Sequence, residues 1–230
     1  MGAQVRLVDR PGTVAQLHAA DLIGDLSPSG EVIDVVICRP SDAAVVLGSR
    51  QRPELLDATA CEQAGLSVTG RRSGGGAVVI EPDSIVWIDV VMPAAFVPND
   101  VRESMVRIGE HWAVALSQWF GHDADRDPSR VVMVHRGGMV QNAWSDLVCF
   151  AGHGPGEVLV GDAKLVGLSQ RRTRRGARFQ GMFHRAPLST DVPSLFAGVT
   201  PGSPIPPVAT LPDVEPALIA SSLAESLDDT

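Results

Sequence analysis

The chain has 230 residues, of which 44% are apolar and 20% charged, with a formal net charge of −8. This near-average balance excludes wholesale disorder, and the negative field argues against a protein that holds nucleic acid through its overall charge. No run of about 18 uncharged apolar residues could span a membrane, residues 1–6 carry no apolar leader core, and three widely spaced cysteines (Cys38, Cys61, Cys149) fit reduced thiols in a cytoplasm rather than a disulfide framework.

Apolar periodicity and turn residues predict the elements in chain order. A helix capped by Thr13 is expected over 13–26, then strands over 32–37 and 43–47 around an Arg-Pro-Ser-Asp turn. Pro53 starts a helix over 53–64 that Gly65 stops. Short strands follow over 66–69, 77–80 and 85–91. The longest helix covers 101–120, with an apolar stripe of Met105, Ile108, Trp112, Ala115, Leu116 and Trp119, and Gly121 as its stop. Further strands are expected over 131–134, 147–150, 157–160, 164–169 and 177–183, then a helical turn over 193–196. No internal repeat is visible. Many strands with few helices predict an α+β or mixed α/β domain over 1–198. A Pro-rich linker, one helix and an acidic tail fill 199–230.

The cations are unevenly divided: eighteen arginines and one lysine, Lys164. On a solvated surface either cation serves. A compact ammonium is needed where a planar guanidinium would clash, which makes Lys164 a candidate for a tight site. A single leftover surface lysine is the alternative at this point.

Three segments could carry chemistry. The loop Arg71-Arg72-Ser73-Gly74-Gly75-Gly76-Ala77-Val78 joins two strands, and its three glycines let backbone N–H groups approach a ligand beside an arginine pair. It lacks P-loop spacing, and a plain hairpin turn would look similar. The second segment, 161–172, sets Lys164 between Gly161 and Gly167, where its charge could meet an oxyanion. Arg171, Arg172, Arg174, Arg175 and Arg178 follow as a basic patch, either for an acidic partner or phosphate or as a solvated loop. The third holds Cys149 before Phe150. Among apolar neighbours it would be inert core, whereas near a cation and backbone N–H groups it could be a nucleophile. His153 follows four residues later, a spacing that does not by itself make a pair. Cys38 and Cys61 look structural. The six histidines show no metal-ligand spacing, so no metal site is expected.

Together these segments resemble the lipoate-protein ligase and octanoyltransferase branch of the biotin/lipoate ligase superfamily. Val45-Val46-Leu47-Gly48-Ser49-Arg50-Gln51 is similar to the family's strand ending in Gly-x-x-Gln. The loop 70–78 is similar to its Arg-Arg-x-Ser-Gly-Gly-Gly-Ala-Val. Segment 161–172 is similar to its Gly-x-Lys-(Val/Ile)-x-Gly-x-x-Gln-Arg. The likeness runs from about Thr13 to about Leu195.

The resemblance implies a fold of mixed, mostly antiparallel sheets flanked by helices, like the catalytic domains of biotin ligases and class II aminoacyl-tRNA synthetases. It implies that Ser73, Gly74, Gly75, Gly76 and Ala77 embrace the head of an acyl-adenylate, with Arg71 supporting the loop and Gly167 nearby. Lys164 would bind the carbonyl and α-phosphate oxygens, and Val46, Leu47 and Val78 would wall the acyl chain. The leading expectation is therefore a ligase that uses ATP and Mg²⁺ to activate lipoate or octanoate and attach it to a lysine of a lipoyl domain. Departures stand beside it. Gly70 replaces the first arginine of the pair, Ile80-Glu81 stands where His-Asp is common, and Phe179-Gln180-Gly181 replaces a His-Gly segment. No C-terminal accessory domain is visible. A second branch of the superfamily uses a cysteine in a Cys-Phe context before the same lysine. Cys149 stands fifteen residues before Lys164 in that way. It would take an acyl chain from acyl carrier protein or another lipoyl domain without ATP. A third alternative is a non-catalytic acyl-binding subunit of a split ligase.

Overall fold

The computed structural model describes residues 3–27, 29–120 and 131–228. Gly121, His122 and the last two residues of the acidic tail lie outside them. Among the described residues, ten strands form two sheets. The seven-stranded sheet runs in the order β1 (Gln4–Gly12), β2 (Val32–Pro40), β6 (Ile85–Pro93), β10 (Gly176–His184), β9 (Ala163–Arg172), β8 (Val158–Val160), β7 (Val132–Val134). Every pair in it is antiparallel except β1 with β2. The small sheet runs β4 (Ser67–Gly70), β3 (Ala44–Leu47), β5 (Val78–Ile80). Four helices, α1 (Val14–Ala19), α2 (Ala58–Gln63), α3 (Val101–Phe120) and α4 (Pro216–Asp228), flank the sheets. The α+β architecture expected from the sequence is the one observed.

Strand alternation sorts the side chains into layers. Val86, Ile88 and Val90 of β6 point to one face and pack with Ile108, Trp112 and Leu116 of α3 and with Ile219 and Leu223 of α4. Trp87 of β6, Val36 of β2 and Met182 of β10 point the other way and meet Val46 of β3 and Val78 of β5. Val45, Leu47 and Val79 leave the small sheet on its far side and pack with Leu56, Cys61 and Leu195. The middle layer, between the two sheets, is where the candidate site opens.

Several elements differ from expectation for identifiable reasons. β1 went unpredicted because it is a half-exposed edge whose Arg6, Asp9 and Arg10 break any apolar run. The helix expected over 13–26 stops at Ala20 after a Thr13–Gln16 capping box. The helix expected over 53–64 is interrupted. Leu56 bridges Phe196, and Asp57 starts α2 afresh by accepting from the Ala60 N–H at 3.0 Å. The strand expected over 147–150 is instead one bridge from Val148 to Ala77, followed by a 3-10 turn, Cys149–Ala151. Residues expected as linker and tail enter the fold. Val208 bridges Lys164, Thr210 bridges His184, and α4 lies against α3, β1, β2 and β6. No helix among the described residues is long and apolar enough to cross a membrane.

Candidate active site

The glycine loop leaves β4 at Gly70 and turns back into β5. Arg71 is buried beneath it and donates to the carbonyls of Gly74 and Gly76, both at 2.8 Å, and to Val46 O at 3.3 Å. Burial lowers the Arg71 pKa from its ordinary value, while the charge available at the Cys149 sulfur acts in the opposite sense. Gly75 has φ +98°, and a Cβ there would sit 2.9 Å from Arg71 Nη2 and 3.6 Å from Cys149 Sγ. Only glycine fits between the arginine and the thiol. Ser73 is buried with its hydroxyl 3.0 Å from Ser169 Oγ and 3.2 Å from Gln180 Oε1.

Cys149 is stitched to the same loop. Its N–H donates to Ala77 O at 2.9 Å, and the Ala77 N–H donates to Leu147 O at 2.7 Å. Gln51, the last residue of the Gly-x-x-Gln segment, donates to the Asp146 and Leu147 carbonyls and holds the 144–149 turn in place. The thiol is half-buried.

Lys164 enters from β9 and is only 2% exposed. Its Nζ donates to Cys149 O at 2.7 Å and to the Glu157 carboxylate at 2.8 Å, and lies 5.5 Å from the Phe150 ring centroid. Glu157, itself buried, also accepts from the N–H groups of Gly154 and Leu168. This buried partner was not foreseen from the sequence. Its one signal was the glycine pair that brackets its loop with Pro155. Gly156, at φ +87°, and Gly109 of α3 touch so closely that a Cβ on either would overlap the other segment's backbone, and that contact carries Glu157 to the lysine. Gly167 lies against the Phe150 ring, where a Cβ would come within 3.1 Å.

Two cavities meet at Cys149. A narrow one of about 20 Å³, room for roughly one water molecule, lies between the sheets and is lined by Val46, Val78, Phe150, Leu168, Met182 and the polar His18, Arg71 and Gln180. A wide cleft of about 610 Å³ is lined by Gly74, Gly75, Gly76, Lys164, Glu157 and Gln170, with Arg102 and Met139 at its rim. Cys149, Leu168 and Ser169 line both. Leu47, expected to wall the acyl chain, faces the opposite side of the small sheet, as the period-two alternation after Val46 requires.

The expected basic patch is taken apart by the fold. Arg178 is buried and donates to Asp89 at 2.7 Å. Arg175 donates to Gly24 O and Leu26 O, and Arg172 to the carbonyls of Pro98 and Asn99. These arginines tie loops to the sheet rather than forming a docking surface. His153 pairs through its backbone with Val140, and its ring stands 6.1 Å from that of His135. No hydrogen bond joins it to the Cys149 thiol among the described residues. Cys38 is buried beside Asp89, and Cys61 is buried on α2.

A glycine loop, a buried ammonium and a half-buried thiol line one cleft of this α+β protein. Residues 16–195 match the lipoyl protein ligase A/B catalytic domain, and the chain belongs to that family. Its fold is shared with a lipoate-protein ligase A bound with ATP, at TM-score 0.70 and 18% identity over 100% of this chain and 85% of that one. It is shared also with a T. acidophilum protein whose structure holds bound lipoic acid, at TM-score 0.68 and 18% identity over 100% of this chain and 86% of that one. A biotin protein ligase of Leishmania major is more distant, at TM-score 0.52 and 9% identity over 98% of this chain and 74% of that one. No curated protein sequence matches the chain significantly.

Proposed function

We propose that this protein attaches an acyl chain of the lipoyl or octanoyl class to a lysine of a lipoyl domain, and that it carries the chain on Cys149. One observation supports this most directly: Cys149 lines both the narrow cavity and the wide cleft, with its sulfur against Gly75 of the glycine loop and its carbonyl on Lys164. An acyl tail directed between the sheets would leave its carbonyl at the thiol. The Cys149 thiol would give up its proton as its sulfur attacks a thioester on acyl carrier protein, forming an enzyme thioester and releasing the carrier thiol, which takes up that proton. The lipoyl-domain amine would then attack that carbonyl, forming the amide and returning its proton to the Cys149 sulfur. Lys164 and the loop N–H groups would face the developing oxyanion. The ammonium is already engaged by Cys149 O and Glu157, so the substrate oxygen would compete with one carboxylate oxygen for its third N–H. The narrow cavity must widen to take a tail, with the flexible Met182 as its most adaptable wall.

ATP-driven ligation is the second reading, favoured by the wide cleft. Its volume falls within the usual range of about 300–1,000 Å³ for small-molecule sites. Gly74–Gly76, Lys164 and Arg102 would hold the phosphates there, and ATP would supply the adenylate leaving group. The ATP-bound neighbour lends this reading a precedent on the same fold. Asp100 is the acidic side chain on that cleft not engaged by Lys164, and it would have to serve a phosphate-bound Mg²⁺. As one half of a split ligase the chain would bind lipoate without transferring it, and a bi-partite ligase of T. acidophilum shares the fold at TM-score 0.66.

The deciding experiment mixes the pure protein with a lipoyl domain and either octanoyl-acyl carrier protein without ATP or octanoate with ATP and Mg²⁺. Acylation of the domain is read by mass spectrometry. Transfer from the carrier without ATP is expected. Transfer only from octanoate with ATP would establish the ligase, and no transfer in either arm would leave only the binding subunit.

A further inference from the structure

The polar side chains lining the narrow cavity are not accounted for by a plain hydrocarbon chain. His18 of α1 lines it and is 5% exposed, with its ring 4.5 Å from Trp87. Its Nδ1 lies 3.2 Å from Gln180 Nε2, and with Gln180 Oε1 placed on the Ser73 hydroxyl the amide N–H is the donor to the ring. Burial first, and then the charges of Arg178 and Arg71, lower the His18 pKa to about 3, so the ring is neutral at pH 7. A neutral ring that accepts at Nδ1 carries its proton at Nε2. That Nε2 is sealed from solvent and has no partner among the described residues. A buried donor without an acceptor is costly, and natural structures rarely keep one idle.

We propose that His18 reads the tail of the acyl substrate, selecting chains that carry a hydrogen-bond acceptor heteroatom over fully saturated chains. This rests on the acyl-transfer reading above and names its substrate class. The Ser169–Ser73–Gln180–His18 chain runs from the glycine loop to the His18 ring, which lines the cavity with its Nε2 unpartnered. An oxygen acceptor would satisfy it best. A ring sulfur is a weaker acceptor but gains from contact with the stacked His18 and Trp87 rings. A saturated chain would leave the donor unpaired, and sites built around a buried donor discriminate most strongly against ligands that lack the acceptor.

The test compares transfer to a lipoyl domain from octanoyl, lipoyl and 8-hydroxyoctanoyl donors, each as the carrier thioester and as the free acid with ATP. Wild-type protein is set beside His18→Phe, which keeps the ring stack on Trp87. The expected result is at least one heteroatom-bearing chain favoured over octanoyl by about tenfold in kcat/KM, a ratio that falls toward one in His18→Phe. Octanoyl transferred as well as both other chains by the wild type overturns the proposal, even if the variant does not fold. A preference that survives His18→Phe overturns it too. Absence of transfer from every donor instead overturns the acyl-transfer reading itself. A buried water as the sole partner of Nε2 would show as equal use of all three chains.

Discussion

The Lys164–Glu157 pair is closed off from water, with side-chain exposures of 2% and 6%. Removing one partner of such a pair strands a buried charge, at a cost of about 3–5 kcal/mol, whereas replacing both by apolar groups is often neutral. Lys164→Met is therefore expected to lower stability by that amount, and Lys164→Met with Glu157→Leu to recover most of it while transfer stays lost. Urea midpoints with parallel transfer assays would show this, and recovery of activity in the double variant would remove the lysine from the chemistry. Lys164→Arg should fail in both assays, since the ammonium bridges two fixed oxygens in a filled pocket. The lone lysine, the glycine triplet and Cys149 were legible in the sequence because each is a rare residue choice whose chemistry has few substitutes. Glu157 and His18 were not. Their roles come from burial, which joins residues far apart in the chain. Titration follows from the same burial. His18 and His184 are lowered to about 3 and about 4, each chiefly by desolvation. The unfolded chain binds protons near pH 6.5 that the fold refuses. Stability is then full above pH 6.5 and falls on acidification through about pH 4, by about 1.4 kcal/mol per pH unit for each ring. Melting temperatures that stay flat between pH 7 and 5 would contradict this.

Turns and crossings place the site more than strand propensity does. Gly109 sits inside α3, where alanine would normally add about 1 kcal/mol of helix stability. Here a Cβ would drive the 154–157 loop off the helix, so Gly109→Ala should lower the melting temperature and slow transfer together, by displacing Glu157 from Lys164. A gain in stability would show that the helix–loop contact yields easily. The strongly periodic α3 and the central strands β6 and β10 could be read from sequence, because both faces or one continuous stripe are buried. The edge strand β1 and the turn carrying Cys149 could not. One is half-solvated, and the other is set by a single bridge to Ala77 that no local pattern announces.

Over the whole molecule, the segment after residue 198 completes the core instead of trailing from it. Leu211, Val214, Ile219, Leu223 and Leu227 are all at most 7% exposed and share one cluster with α3 and the large sheet. We take residues 3–228 as one folding unit. Burial of each such side chain is worth about 1.5–3 kcal/mol, so five together rival the stability of a typical domain. A chain ending at residue 198 is expected to be insoluble or to melt without a cooperative transition in circular dichroism, and a sharp two-state melt would place the boundary there after all.

The proposed covalent role rests on Cys149, which lines both cavities. Intact-mass analysis of the wild-type protein and Cys149→Ser after incubation with octanoyl-acyl carrier protein tests it directly, without ATP. The expected result is one acyl group on the wild type, mapped to Cys149, discharged when lipoyl domain is added, and no adduct or transfer in Cys149→Ser. Full transfer by Cys149→Ser would contradict it.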